Sequence, residues 1–223
     1  KPVDDDHAPN GAHAVVFLHG CPHHHGAAVA AGLVARADDA GFVVLAPEQQ
    51  ATNNPQLCFN WFARDDVVRD SGELASIANV VDRAIARGDV DPKRVFVAGM
   101  SAGAMMSVSL LAAYPDVFQA GASFAGGPYG CAESAVDASA CLLGQIDHTR
   151  DEWLDLAKRA GAPAGDDARV PRLFAMQGTA DVVVNPKALD LLVEQWTALA
   201  GVSSTPSART SHALEHIRDF GDA

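Results

Sequence analysis

Positive charge is scarce in this sequence, where 16 Lys and Arg residues stand against 28 Asp and Glu residues and give a net charge of −12. This balance offers no basic stripe for a phosphate backbone and no attraction to an anionic membrane, so neither nucleic acid nor membrane is expected as a partner. Long apolar runs are also missing, since none approaches the roughly 20 residues that a membrane-spanning helix needs. With 48% hydrophobic residues and a mean hydropathy near zero, the composition is that of one soluble globular domain over residues 1–223.

Cysteine is used only four times, at Cys21, Cys58, Cys131 and Cys141, and no two of them have CxxC spacing. The spacing argues against zinc-binding and thioredoxin-type sites. An even number permits two disulfides in an exported protein, but four reduced thiols in a cytosolic core fit the count as well. If Cys21 pairs with Cys58, loop-closure entropy predicts a stabilisation of about 3–4 kcal/mol, and a Cys131–Cys141 bond would contribute somewhat less.

Apolar strand candidates alternate with helical stretches along the chain, which is the pattern of a mostly parallel α/β sheet. The strand candidates are Ala14–Leu18, Phe42–Ala46, Arg94–Ala98, Ala120–Phe124 and Arg172–Met176. The helical stretches, rich in Ala or with apolar residues at helical spacing, are Gly26–Ala40, Asp70–Arg87, Ala104–Tyr114 and Asp190–Leu199.

The segment 128–170 interrupts this alternation, because it is rich in Gly, Pro, Asp and Cys and contains one short helical stretch at 152–159. It is too long for an ordinary connection between two elements. We therefore expect it to leave the sheet and to cap the cleft above it.

A serine stands between two glycines in Gly99–Gly103 (GMSAG), directly after a strand candidate and before a helix that ends at Pro115. This context is that of a nucleophile elbow, a turn so tight that only residues without bulk fit beside the serine. The turn raises the Ser101 hydroxyl above the sheet edge and points the N–H groups of the helix N-terminus at the reacting centre. Ser101 is therefore the predicted nucleophile.

A serine nucleophile needs an orienting acid and two N–H donors for the developing oxyanion. Asp181 follows the strand that ends at Met176, where the acid of an α/β-hydrolase is expected. One donor is the amide of Ala102, the residue after the nucleophile. The other is expected from the loop after the first strand. Pro22 has no N–H, so Gly20, Cys21 and His23 are the available donors there, and Cys21 is favoured.

The histidine base is not found by this reasoning. His212 and His216 follow Asp181 in the chain, but neither lies in a glycine-flanked loop after a convincing last strand, and ordinary surface histidines fit both. The run of three histidines at 23–25 has no partner spacing for a metal, so we expect it at the rim of the pocket and predict no metal site.

Several ordered blocks of the sequence together resemble the polyhydroxybutyrate depolymerase-type esterases, a group that includes feruloyl and acetylxylan esterases. The resemblance covers most of the chain, and its blocks are Leu18–Cys21, Pro47–Gln49, Cys58–Phe62, Asp91–Gly103 and Gly178–Asp181. Two positions depart from the pattern: Ala104 replaces a usual glycine, and Gln177 replaces a common histidine before the acid loop.

The resemblance implies a secreted or periplasmic enzyme with an α/β-hydrolase fold, a Cys21–Cys58 disulfide that joins the oxyanion loop to the Trp61 loop, and no metal or organic cofactor. It also implies that Trp61 walls the substrate pocket, although a tryptophan of the hydrophobic core remains the alternative. The family's histidine lies in a Gly-x-x-His-Ala-Trp segment after the last strand. This segment does not occur before Ala223, so we expect the base, with its strand, in a C-terminal piece outside this sequence.

The expected activity is ester hydrolysis through an acyl-enzyme, with short-chain hydroxyalkanoate esters as the first choice of substrate. Phenolic or acetyl esters of plant polysaccharide are the second choice. A non-catalytic binding protein on the same scaffold is the alternative from another class. The sequence leaves the oligomeric state open.

Overall fold

A five-stranded parallel sheet forms the centre of the protein, as the computed structural model shows for residues 11–161, 169–212 and 215–221. The strand order is β2-β1-β3-β4-β5. The strands are β1 (Ala12–Leu18), β2 (Phe42–Leu45), β3 (Val90–Met100), β4 (Ala120–Phe124) and β5 (Arg172–Met176). Because all four pairings are parallel, the carboxyl ends of the strands meet at one edge of the sheet.

Seven α-helices connect or flank these strands within the described residues. They are α1 (Gly26–Ala30), α2 (Leu33–Ala40), α3 (Gly72–Ala86), α4 (Ala102–Ala113), α5 (Ala135–Leu142), α6 (Arg150–Lys158) and α7 (Lys187–Leu199). A 3₁₀ turn at Arg64–Asp66 precedes α3, and an antiparallel hairpin of β6 (Ala208–His212) and β7 (Glu215–Asp219) follows α7. No helix in the described ranges is long and apolar enough to cross a membrane.

The five predicted strands are all present, and the predicted helices differ mainly in detail. The stretch Gly26–Ala40 is two helices, because Gly32 takes a left-handed conformation (φ 73°) and breaks the first one. The described part of the segment 128–170 contains two helices, α5 and α6, where the sequence indicated one. The β6–β7 hairpin was not predicted, since its strands are polar and exposed and show no apolar alternation.

Helix α4 is buried over its whole length, unlike the amphipathic helices around it. Its sequence AGAMMSVSLLAA is apolar or small on every face, which is typical of a helix enclosed by other elements. The two serines within it, Ser107 and Ser109, donate to the carbonyl oxygens of Gly103 and Met105, so their hydroxyls are satisfied inside the helix.

The C-terminal end of α4 is fixed by Arg69, whose guanidinium donates to the carbonyl oxygen of Ala113 and to both carboxylate oxygens of Asp116. The same guanidinium lies 4.4 Å from the centre of the Tyr114 ring. A cation at this position satisfies a helix carbonyl and complements the negative end of the helix dipole. The helix that begins beside Ser101 is therefore held at both ends.

The two glycines of the Ser101 turn are required by close backbone contacts. A Cβ on Gly103 would lie 2.1 Å from the carbonyl oxygen of Leu18, and a Cβ on Gly99 would lie 2.2 Å from the carbonyl oxygen of Gly103. Both obstacles are main-chain atoms, which cannot rotate away as a flexible side chain could. Strand β1, strand β3 and helix α4 can therefore approach only where these two residues lack side chains.

Replacing Gly103 with Ala is expected to lower the free energy of unfolding by about 3 kcal/mol, because the new methyl group overlaps the β1 backbone. The matched control is Gly88→Ala, where φ is +81° but no atom lies within 4 Å of the added Cβ. In that variant the free energy of unfolding is expected to fall by only about 1 kcal/mol, the cost of the left-handed conformation. Chemical denaturation of both variants measures the difference, and equal losses would show that the contact with Leu18 is not limiting.

Candidate active site

Two loops that the sequence singled out leave the same edge of the sheet. Met100, Phe124 and Met176 are in register at the carboxyl ends of β3, β4 and β5. Ser101 follows the first of these strands and Gln177 follows the third, so one strand separates them. With strands about 4.8 Å apart, the two loops start about 10 Å from each other.

The backbone at Ser101 has φ 55° and ψ −121°, a combination that L-residues rarely adopt. Hydrogen bonds hold it there: its N–H donates to the carbonyl oxygen of Phe124 (2.9 Å), and its own carbonyl accepts from Ala104 (2.9 Å) and Met105 (3.0 Å). Ser101 as a residue is half-buried and is not part of the hydrophobic core. Ala102 is the first residue of α4, where an amide has no partner within the helix.

The loop after β1 lies directly against Ser101. A Cβ on Gly20 would lie 3.2 Å from the Ser101 Cβ and 3.2 Å from the carbonyl oxygen of Met100. Cys21 follows Gly20 and is joined to Cys58 by a disulfide. The structure therefore brings the loop of the predicted oxyanion donor beside the predicted nucleophile, and we name residues 19–21 the oxyanion loop.

Asp181 is fixed by three hydrogen bonds at the far side of β4. Its Oδ1 accepts from the amides of Val183 (2.8 Å) and Val184 (3.0 Å), and its Oδ2 accepts from Nε2 of Gln177 (2.9 Å). These donors, the Val183 amide foremost, lower the pKa of Asp181 below its usual value. The carboxylate is therefore both ionised at neutral pH and held in one orientation.

Gln177 was noted in the sequence only as a departure from the family pattern, and the structure gives it a role. Its Nε2 donates to the Asp181 carboxylate and to the carbonyl oxygen of Val184 (2.8 Å), so one amide group ties the two ends of the acid loop together. The only sequence signal for this role was its position four residues before the acid.

Both cysteine pairs are joined: Cys21 to Cys58, and Cys131 to Cys141 within the segment 128–170. Trp61, predicted to wall the pocket, is 7% exposed and belongs to the hydrophobic core, where its ring packs edge-on against Phe62 at 5.5 Å. This burial fits the core alternative, and contact with substrate remains a prediction.

The described residues show no hydrogen bond between the Ser101 hydroxyl and an imidazole. His216 is exposed on the β6–β7 hairpin and lies 3.0 Å from the Ser211 hydroxyl. The side chain of His212, the other candidate, lies outside the described atoms. Of the histidine run, His25 contacts the carboxylate of Glu48, an interaction that lowers the pKa of Glu48, and His24 accepts from the amide of Gly26.

His19, in the oxyanion loop, is 1% exposed, and each of its ring nitrogens contacts a backbone atom. Nδ1 lies 2.9 Å from the carbonyl oxygen of Gly20, and Nε2 lies 3.2 Å from the amide of Gln49. Burial lowers the pKa of His19, so the ring is neutral, with the proton assigned to Nδ1 by its carbonyl partner. Its contacts support a role in holding the loop.

The sequence also gave no role to Glu73, a buried carboxylate near the start of α3. Its oxygens accept from the side chains of Gln49 and Asn53 and from the amide of Asn60. Burial is the largest influence on this group and raises the pKa of Glu73, while the donors act against it. Acidic residues are common in the first turn of a helix, where the helix dipole favours them. The sequence therefore gave no indication of a further role for Glu73.

A cleft of about 980 Å³ lies in the segment 128–170 and is lined by residues of 130–159 on and around α5 and α6. Five carboxylates and three basic or histidine side chains contribute to it: Glu133, Asp137, Asp147, His148, Glu152, Asp155, Lys158 and Arg159. Ser101 and Asp181 do not line this cleft. The site at the strand ends is therefore recognised by its chemical groups and lies apart from this cleft.

Comparison with known proteins identifies close relatives among esterases. Poly(3-hydroxyalkanoate) depolymerase C from Paucimonas lemoignei is 41% identical over 204 residues, which are 90% of this chain and 49% of that protein. Feruloyl esterase B from Talaromyces funiculosus is 34% identical over 176 residues, with 76% of this chain and 48% of that protein covered. An acetylxylan esterase from Coprinopsis cinerea is 34% identical over 181 residues, with 79% and 47% covered. The chain thus spans about half the length of these relatives.

A solved structure, the acetyl xylan esterase from Aspergillus awamori, superposes with a TM-score of 0.84 over 97% of this chain and 81% of that chain. At 22% identity this match shows the fold, which is the α/β-hydrolase fold that the strand order and the elbow indicate. The model of the esterase PHB depolymerase family matches residues 7–218. The chain therefore belongs to the esterase PHB depolymerase family, whose resemblance the sequence blocks had indicated.

Proposed function

We propose that this chain is part of the catalytic domain of a serine carboxylesterase that hydrolyses short-chain hydroxyalkanoate esters through an acyl-enzyme. The observation that carries the proposal is the strained Ser101 turn, packed against the Gly20 loop at the carboxyl ends of the strands. The 41% identity to a poly(3-hydroxyalkanoate) depolymerase over nine-tenths of the chain supports the choice of substrate.

In the proposed reaction the Ser101 Oγ attacks the ester carbonyl carbon while a histidine takes the hydroxyl proton. The tetrahedral intermediate collapses when the imidazolium returns this proton to the leaving alkoxide, which leaves the acyl group on Oγ. Water then attacks the acyl-enzyme with the same histidine as base, releasing the acid and restoring Ser101. Within the described residues no imidazole bonds to the Ser101 hydroxyl, so we assign the base by residue type and not by position.

The amides of Ala102 and Cys21 are proposed to receive the developing oxyanion. The first lies at the N-terminus of the buried helix α4, whose dipole favours negative charge at that point. The second lies in the loop that contacts Ser101 and is tethered by a disulfide. One such donor typically contributes about 2.7–4 kcal/mol of transition-state stabilisation.

Asp181 is proposed to orient the imidazole and to stabilise its positive charge. Its lowered pKa keeps the carboxylate ionised as the pH falls through mildly acidic values, since a depressed pKa is titrated only at still lower pH. The acid limb of kcat/KM should therefore report the imidazole and not Asp181.

Secretion or export to the periplasm is proposed for the protein on the basis of its two disulfides, which persist in oxidising compartments.

Ser101→Ala is expected to lower kcat by about 10⁶-fold, and Asp181→Asn by about 10⁴-fold, because the nucleophile is lost in one and the imidazole is misoriented in the other. The full-length protein is assayed with p-nitrophenyl butyrate and labelled with a fluorophosphonate. The matched control is Asp89→Asn, which should retain full activity. Asp89 is an exposed carboxylate that pairs with Arg87 before β3. Labelling that survives in Ser101→Ala would refute the assignment of Ser101, whereas a wild-type protein that is neither labelled nor active would favour a non-catalytic binding protein.

Substrate preference separates the two esterase classes. A hydroxybutyrate oligomer should be cleaved with a higher kcat/KM than methyl ferulate or acetylated xylan. The second candidate rests on the 34% identity to a feruloyl esterase and to an acetylxylan esterase. Faster cleavage of ferulate or of xylan acetate in side-by-side assays would reverse the order.

The segment 128–170 is proposed to cap the active-site cleft at the carboxyl ends of the strands, beside the loop of Asp181. The amide of Asn185 donates to the carbonyl oxygen of Leu142 (2.8 Å), and Gly144 packs on Lys187, so α5 ends against the residues that follow Asp181. The Cys131–Cys141 disulfide fixes α5 to the start of the segment.

If the segment is a cap, the double variant Cys131→Ser/Cys141→Ser should change the ratio of kcat/KM between p-nitrophenyl hexanoate and p-nitrophenyl acetate by about threefold or more, as repacked acyl pockets do. The assays are run below the unfolding temperature of the variant, measured separately. An unchanged ratio in the folded variant would argue that the segment does not contact the acyl chain.

A further inference from the structure

We propose that Glu73 is a positioning residue for the reaction: its buried carboxylate holds the oxyanion loop in place through Gln49. The inference rests on the proposed function, because it names how the donor loop of that site is kept in register with Ser101. Glu73 lies in the first turn of α3, far along the chain from the loop that it is proposed to fix.

The Glu73 carboxylate is 8% exposed and is surrounded by N–H donors. Oε1 accepts from the side-chain amides of Gln49 (2.6 Å) and Asn53 (2.7 Å), and Oε2 accepts from the backbone amide of Asn60 (2.8 Å). All three contacts are donated to the carboxylate, which is the arrangement that an ionised group requires. Its own amide donates to Asp66 (3.1 Å) at the N-terminus of α3, where the helix dipole favours both acids.

From Glu73 the first connection to the site passes through Gln49 and His19. While the Gln49 side chain donates to Glu73, its backbone amide donates to Nε2 of His19. Nδ1 of His19 in turn contacts the carbonyl oxygen of Gly20, the residue that packs on the Ser101 Cβ. Three successive hydrogen bonds thus join the buried carboxylate to the residue beside the nucleophile.

A second connection reaches Cys21, the proposed donor. The Nε2 of Gln49 also donates to the carbonyl oxygen of Cys58 (2.9 Å), and Cys58 is bonded to Cys21. The disulfide fixes how far apart the two cysteines lie, but it does not fix where Cys58 itself sits. Gln49 and the Asn60 amide supply that position, and both are held by Glu73.

Burying a carboxylate costs desolvation free energy. If Glu73 served stability alone, apolar residues in place of this polar cluster would give a core of about equal stability. The carboxylate instead fixes the positions of three donors, because groups from separate parts of residues 49–60 all bond to it. If positioning is the role, loss of the charge should lower the rate of the chemical step more than it weakens substrate binding.

Glu73→Gln tests the proposal in the full-length protein with p-nitrophenyl butyrate. The variant keeps the shape of the side chain but turns one acceptor into an NH₂ group, which faces N–H donors and must lose at least one of the three bonds. We expect kcat to fall by about 10–100-fold with KM within about twofold, the loss that a slightly displaced oxyanion donor causes.

Asp91→Asn is the matched control, since Asp91 is also 8% exposed and accepts from a backbone amide, that of Lys93, and from Arg94. It lies at the opposite end of β3 from Ser101, so its loss should reduce stability and leave kcat within about twofold. Amide hydrogen exchange adds a readout independent of activity. Peptides over 19–25 and 49–60 should exchange faster in Glu73→Gln and not in Asp91→Asn.

The outcomes separate the two proposals. A kcat of Glu73→Gln no lower than that of Asp91→Asn, or unchanged exchange at 19–25, would overturn the role of Glu73. An inactive wild type, or an active Ser101→Ala, would overturn the proposed function, while the exchange data still judge whether Glu73 holds the loop. Should Glu73→Gln fail to fold, Gln49→Leu removes the donor to both Glu73 and Cys58 and is expected to give the same fall in kcat and the same exchange pattern.

Discussion

The backbone contact between Gly103 and the end of β1 is the constraint on which the site depends. The space for a side chain at residue 103 is taken by the carbonyl oxygen of Leu18, and the space at residue 99 is taken by that of Gly103. This contact brings the start of α4 against the loop after β1. The strained Ser101 backbone, the first amides of α4 and the Gly20 loop are therefore placed together by main-chain packing before any side chain contributes.

A second layer of polar contacts then fixes the two loops on either side of Ser101. On one side, Glu73, Gln49 and His19 carry hydrogen bonds from α3 to the Gly20 carbonyl, and the disulfide adds a covalent link. On the other side, Gln177 and two backbone amides hold Asp181. On both sides an acid, buried Glu73 or half-buried Asp181, lies among N–H donors, so each acid is held in a single orientation. A site arranged in this way requires little reorganisation when charge develops on the substrate.

The family assignment indicates the class of reaction, and the geometry indicates which residues are placed to carry it out. The family match covers almost the whole chain, and the relatives at 31–41% identity include a polyhydroxyalkanoate depolymerase, feruloyl esterases and acetylxylan esterases. These names agree on ester hydrolysis and differ in the ester. We propose that Ser101, Asp181 and the loop after β1 carry the chemistry that these esterases share. The segment 128–170, which meets the residues after Asp181, is where we place the difference in substrate.

The sequence by itself determined the five strands, the tight turn at Ser101 and the position of Asp181 in the loop after β5. These features depend on local patterns: apolar runs, a serine between glycines and an aspartate after a strand. It could not give the break at Gly32, the second helix of the segment 128–170 or the polar β6–β7 hairpin, where no apolar periodicity marks the element. Only the tertiary structure decided that Trp61 is buried, that Gln177 orients Asp181, and that Glu73 reaches the loop beside Ser101. These roles depend on contacts between residues far apart in the chain, and such contacts leave no mark in the spacing of residue types.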